Sequence, residues 1–181
     1  MVVITPPKGI TESKYLMLSS KNIHNNIINF DNPRYLQEDD FKRENKRTDV
    51  QLGDVLLTIV GTIGRTAVIN NHIKFTLQRS VAVLKPKTNL LNSYFLMYSL
   101  QKNVSVLISE AKGSAQKGIY LKSIKKLKII FPPLNIQKEK VAYLDLMSEK
   151  AEILKTQQIQ KLDSLKKLKA SILGKAFKGE L

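Results

Sequence analysis

The sequence predicts a mixed α/β (α+β) chain: a mixed-sheet domain over residues 1–133 followed by one long C-terminal coiled-coil helix over residues 134–181. Three observations carry this. Val55–Val60 and Thr66–Ile69 are β-rich runs that flank Gly61-Thr62-Ile63-Gly64, and two glycines able to take positive φ make a tight hairpin link. Pro132-Pro133 closes an apolar run, and from Leu134 to Lys178 there is no proline and one glycine, Gly174. The apolar fraction of 43% is enough to build a core for the first part.

Taken in order, Tyr15–Leu18 reads as a short strand that runs into a polar loop, Ser19 to Asn26. Ile27–Phe30 is a second short strand. Glu38–Asn45 reads as a helix, with acids in its first turn and bases later, as the helix dipole favours. Gly53-Asp54 makes a turn into the hairpin, and Ser80–Leu84 is a further strand ending before Lys85-Pro86. Leu91–Ile108 is helical, with Met97, Leu100, Val104 and Leu107 at three- and four-residue spacing. Gly113–Gly118 is a polar loop, Leu121–Leu127 a short basic helix, and Lys128–Phe131 a last strand stopped by the prolines. A 45-residue helix from Leu134 would extend roughly 67 Å, too far to lie buried along a small domain. Its heptads put Leu144, Ala151, Gln158, Leu165 and Ile172 at position a, and Met147, Leu154, Lys161, Leu168 and Lys175 at d. This seam is apolar towards both ends and polar at Gln158 and Lys161, as in a coiled coil whose polar layers select register and partner.

Charge narrows the function. Thirty Lys and Arg against fifteen Asp and Glu leave +15 over 181 residues. Residues 1–64 are balanced at eight of each sign, whereas 65–128 hold twelve bases and one acid, Glu110. A concentrated basic stripe suits a polyanion, because each phosphate contact releases counterions. Zero cysteines exclude a thiol nucleophile, disulfides and cysteine-ligated metals. His24 and His72 have no metal-ligand spacing. No apolar run approaches a membrane span, and MVVITPPKGI lacks the features of a signal peptide, so a cytoplasmic chain is expected.

Base sequence is read by side chains that reach base edges, whereas phosphate contacts position the protein. The reading candidates are Ser20, Lys21 and Asn22 in the first loop; Thr62 and Arg65 at the glycine turn; Gln78 and Arg79 before a strand; and Ser114, Gln116 and Lys117 in the polar loop. Tyr120 can pack on a sugar or base. Lys122, Lys125 and Lys126 suit phosphate, since a lysine run carries charge without fixed geometry. GTIG is not the clamp of a KH domain, which joins two helices. It is not a P-loop either, lacking the G-K-[ST] ending. Glu38-Asp39-Asp40 is better explained as helix N-terminal charge than as a metal site. Tyr94, Phe95 and Tyr98 read as packing residues.

In order, YLMLSSKNI (15–23), QLGDVLLTIVGTIGRTAVI (51–69), QRSVAVLKP (78–86), GSAQKGIYLKSIKKLKIIFPPLNIQ (113–137) and SILGKAFKGEL (171–181) resemble the specificity subunits of type I restriction–modification systems. The resemblance covers nearly the whole chain. It implies a target recognition domain on a long helix that binds double-stranded DNA and scaffolds modification (methyltransferase) and restriction (endonuclease) subunits. It also implies that the chain is non-catalytic and needs no cofactor, since S-adenosylmethionine, ATP and magnesium are used by those partners. Such subunits usually carry two recognition domains and two helices, and this chain has one of each. A half can restore the arrangement as a homodimer through antiparallel helices, with Leu144, Met147, Ala151, Leu154, Gln158, Lys161, Leu165, Leu168 and Ile172 at the interface. Two identical halves would read an inverted repeat. The rival expectation is a stand-alone dimeric nucleic-acid-binding regulator.

Overall fold

Every side chain of Val55–Thr58 (β5) is buried. The run VLLT has no polar face, so both sides of the strand must be covered. The computed structural model, which describes residues 7–109, 111 and 118–180, shows what covers them. Val55 and Leu57 pack with Leu96, Met97 and Leu100 of helix α2 (Ser93–Lys102), with Leu107 and Ile119 beside them. Leu56 faces the opposite way, onto Leu18, Ile23, Phe75 and Leu77. The alternation of side chains along one strand thus divides the core in two.

Three small sheets surround this strand. Thr66–Val68 (β6) and Val81–Leu84 (β8) flank β5 antiparallel, in the order β6-β5-β8. The expected hairpin is therefore present, with Gly61 and Gly64 at φ 79° and 94°. Leu16–Leu18 (β1) pairs antiparallel with Arg34–Tyr35 (β4) and parallel with Phe75–Leu77 (β7). Ile23–His24 (β2) and Ile27–Ile28 (β3) form a two-stranded ribbon. The Asn25 and Asn26 turn between them has φ 51° and 64°, a conformation asparagine tolerates better than most residues.

Helix α1 (Glu38–Thr48) runs three residues beyond the predicted end. Glu38 pairs with Lys42 at 2.7 Å and Asp40 with Arg43 at 2.6 Å, so the acidic trio serves the first turn of this helix. The helix expected over 91–108 is two, α2 and α3 (Val104–Ser109). Asn103 separates them, donating its side-chain amide to the Ser99 carbonyl at 2.7 Å. Leu121–Lys126 (α4) is helical as expected. Residues 128–131 form no strand: Ile130 is 94% exposed, and no strand edge pairs with this run. β2, which falls inside the expected polar loop, β4 and β7 are additions that the sequence pattern did not indicate.

Helix α5 spans Leu134–Lys178 without a break. The chain divides into two compact units, residues 1–138 and 139–181. In the first, Gln137 is fully buried. It accepts from the Asn92 amide at 2.8 Å and donates to the carbonyls of Leu90 and Pro132 at 2.8 and 2.7 Å, so all three of its engaged amide positions are satisfied. In the second, every side chain from Ala142 to Lys178 except Met147 is exposed, including Leu154, Leu165, Leu168 and Ile172.

Candidate nucleic-acid interface

Four segments far apart in sequence meet at the C-terminal end of β5. The Ile59 amide donates to the Ser80 carbonyl at 2.8 Å, and the Ile119 amide donates to the Ile59 carbonyl at 2.8 Å. Val60 bridges Gly118 antiparallel. The Gln78 amide donates to the Leu18 carbonyl at 2.8 Å, and the Ser20 amide to the Ser80 hydroxyl at 3.2 Å. Arg65 Nη1 lies 3.4 Å from both the Ile23 carbonyl and His24 Nδ1. The first loop, the glycine turn, the 78–80 turn and the 118–121 segment are therefore one surface, assembled by backbone bonds together with the Ser80 hydroxyl and the Arg65 guanidinium.

The structure sorts the sequence candidates on this surface. Lys21, Thr62 and Arg79 are exposed. Tyr120 is 64% exposed. Ser20, Arg65 and Gln78 are half-buried, and Arg65 is held by the ribbon strand β2. Asn22 is corrected: it is 7% exposed, and its side chain caps a short turn with Ser19 while donating to the Asn29 and Asp31 carbonyls at 3.1 and 3.2 Å. It shapes the first loop from inside and cannot reach a base edge. Ser114, Gln116 and Lys117 lie outside the described residues. Lys122, Lys125 and Lys126 are all exposed on α4.

The basic stripe is divided. Lys85 is engaged: its Nζ is 2.6 Å from Asp54 Oδ2 and 2.6 Å from the Asp49 carbonyl. Asp54 is buried, so this pair holds α1 to the start of β5. Lys74 lines a separate cavity of about 350 Å³ with Phe41, Leu52 and Ile73. Arg79 remains at the surface without a carboxylate partner among the described residues.

Beside Arg79 opens a groove of about 820 Å³. Its floor is apolar, from Ile59, Val81, Ala82 and Ile119, and its rim carries Arg47, Arg79 and Tyr120. Arg47 was not among the sequence candidates. It sits in the charge-balanced third of the chain, in the last turn of a helix where a base is ordinary dipole partnering. Burial lowers its pKa from the usual arginine range, Glu44 opposes that, and the charge of Arg79 adds to it. No group of three or more His, Cys, Asp or Glu able to hold a metal occurs among the described residues. No helix among them is long and apolar enough to cross a membrane.

Comparison with known proteins identifies the family. Residues 8–164 match the family described as type I restriction modification DNA specificity domain. The chain is 33% identical over 138 residues to the type I restriction enzyme EcoBI specificity subunit of Escherichia coli, covering 75% of this chain and 29% of that protein. It superposes on the HsdS subunit from Thermoanaerobacter tengcongensis with a TM-score of 0.64 at 26% identity, covering 98% of this chain and 41% of that one. A chain from a structural study of the assembly and conformational transition of the type I R-M system gives 0.62 at 32% identity, covering 73% and 32%. The chain thus spans between 29% and 41% of the length of these relatives. With the family match running through both the sheet domain and most of the long helix, this chain belongs to the type I restriction–modification DNA specificity domain family.

Proposed function

We propose that this chain is a sequence-specific DNA-binding module that reads one half of a bipartite target and scaffolds the methyltransferase subunits, and the endonuclease subunit, of a type I restriction–modification system. One observation carries this reading: loops with base-reading chemistry from both the charge-balanced first third and the strongly basic middle third of the sequence meet at one end of β5. Lys21, Thr62, Arg65, Gln78 and Arg79 are the readers, Tyr120 packs on a sugar or base, and the lysines of α4 hold phosphate. The chain supplies binding and position, and its partners supply the chemistry in the cytoplasm.

The exposed apolar seam of α5 supports a homodimer. Unpaired leucines at this spacing belong against another helix. In a parallel, in-register pair, Lys161 and Lys175 would each stack on their own copies. In an antiparallel pair centred between Ile159 and Gln160, Leu154 faces Leu165 of a second copy, Ala151 faces Leu168, Met147 faces Ile172 and Gln158 faces Lys161. That register removes both lysine–lysine layers and matches apolar with apolar in the first three of these pairings, leaving Leu144 opposite Lys175 at each end. Two identical readers then address an inverted repeat, and the helix pair sets the spacer.

Selection of duplexes from a random-sequence pool by the full chain tests the proposal. The expected product is an inverted repeat with a constant gap, bound by a species of twice the chain mass and methylated when methyltransferase subunits are added. Enrichment of a single unrepeated site bound by a monomer would refute the paired arrangement, and no enrichment would refute the reading itself.

A further inference from the structure

The last turn of α1 is anchored. Thr48 is buried, and its hydroxyl lies 2.9 Å from that of Thr76 in β7. The neighbouring Arg47 donates Nη2 to the Leu77 carbonyl, which fixes its guanidinium at the edge of the groove. Its side chain keeps 37% exposure, and its carboxylate neighbour Glu44 stands 3.7 Å away and is shared with Arg43 at 3.9 Å. Arg79 approaches from the 78–80 turn with no carboxylate of its own. Lys85 on the same groove is already neutralised by Asp54. Two guanidiniums therefore share less than one counter-charge beside an apolar floor.

Such a site favours an anion whose body is not itself fully polar. A DNA strand meets both demands: a phosphate takes the fork of the Arg47 guanidinium, and the C–H faces of deoxyribose suit the apolar floor and the Tyr120 ring. Lipid and protein carboxylates fit less well, since the adjoining surface already carries the base-reading residues.

We propose that Arg47 is a DNA-backbone contact, its guanidinium holding one phosphate next to the base reader Arg79 while the adjoining sugar lies in the groove against Tyr120. This rests on the DNA-binding reading above and adds a positioning residue to it. Arg47 sets where the strand lies, and Arg79 reads beside it. Glu44 competes with the phosphate for Arg47, so its removal strengthens the contact.

The test uses the full chain, a duplex selected by the wild type from a random pool, and a scrambled duplex of the same length, with affinity followed across salt concentration. Arg47→Gln weakens both duplexes by the same factor and lowers the log–log salt slope by about 0.9, the signature of one lost phosphate. Arg47→Lys keeps the slope. Glu44→Gln tightens both duplexes alike, a gain that loss of a structural bond would not produce. If the wild type binds with a steep salt dependence while Arg47→Gln leaves the slope unchanged, the inference fails and the DNA-binding reading stands. A loss confined to the selected duplex makes Arg47 a base reader and overturns the backbone assignment. Should Arg47→Gln melt early, Glu44→Gln decides, and no tightening there overturns the proposal. A wild type that binds neither duplex overturns both readings.

Discussion

The backbone amide of Ser20 donates to the side-chain hydroxyl of Ser80 at 3.2 Å, across sixty residues of sequence. The Ser80 carbonyl in turn accepts from Ile59. One serine thus joins the first loop, the end of β5 and the turn that carries Arg79. The turns that carry the candidate readers are held by backbone groups and one short serine side chain, whose geometry varies less than that of long side chains. A surface that must match base edges needs this kind of support.

Reading and positioning residues should separate in a binding experiment. Arg79→Ala is expected to cost about 1–3 kcal/mol on the preferred duplex and much less on a scrambled one, relaxing target choice. Lys126→Ala should weaken both duplexes about equally and reduce the salt slope. Competition binding with the two duplexes measures the difference.

Gly64 is constrained twice. Its φ is +94°, and a Cβ there would stand 2.7 and 2.8 Å from the two methyls of Val104. Gly64→Ala should destabilise the domain by about 2–4 kcal/mol, from the backbone conformation and the overlap together. Adding Val104→Ala should recover the steric part only. Urea unfolding of the two variants gives both numbers.

Gln137 is a buried amide whose three bonds all go to backbone groups. Gln137→Leu leaves the Asn92 amide and the Leu90 and Pro132 carbonyls without it. The expected loss is about 3 kcal/mol, since each buried polar group left unmatched costs about 1–3 kcal/mol. Gln137→Glu should be comparably damaging, because its carboxylate would face two carbonyl oxygens. Equilibrium denaturation checks both substitutions.

The seam of α5 can be tested apart from the sheet domain. Leu154→Glu or Leu165→Glu should convert a dimer to a monomer in sedimentation equilibrium. Thermal melting of the residue 1–138 unit should be unchanged, because both side chains are exposed in the single chain. A dimer that survives either substitution would rule out the proposed layers.

Read alone, the sequence determined the elements whose signals are local. An unbroken run free of proline makes α5, because nothing within it interrupts the backbone ladder. Paired glycines at positive φ make the β5–β6 turn, and acids followed by bases make α1. The exposure of Lys21, Thr62, Arg79 and Tyr120 was legible because polar residues beside glycine turns and short strands are exposed more often than not. Only the tertiary structure decided what depends on distant partners. β7 exists because Phe75–Leu77 pairs with β1 some sixty residues earlier, whereas the apolar run at 128–131 finds no strand to pair with. Asn22 is withdrawn from the surface because the Asn29 and Asp31 carbonyls need its amide. Arg47 lines the groove beside Arg79 only because β7 anchors the last turn of α1. Local propensity acts over a few residues, while burial and charge proximity are set by the whole packed chain.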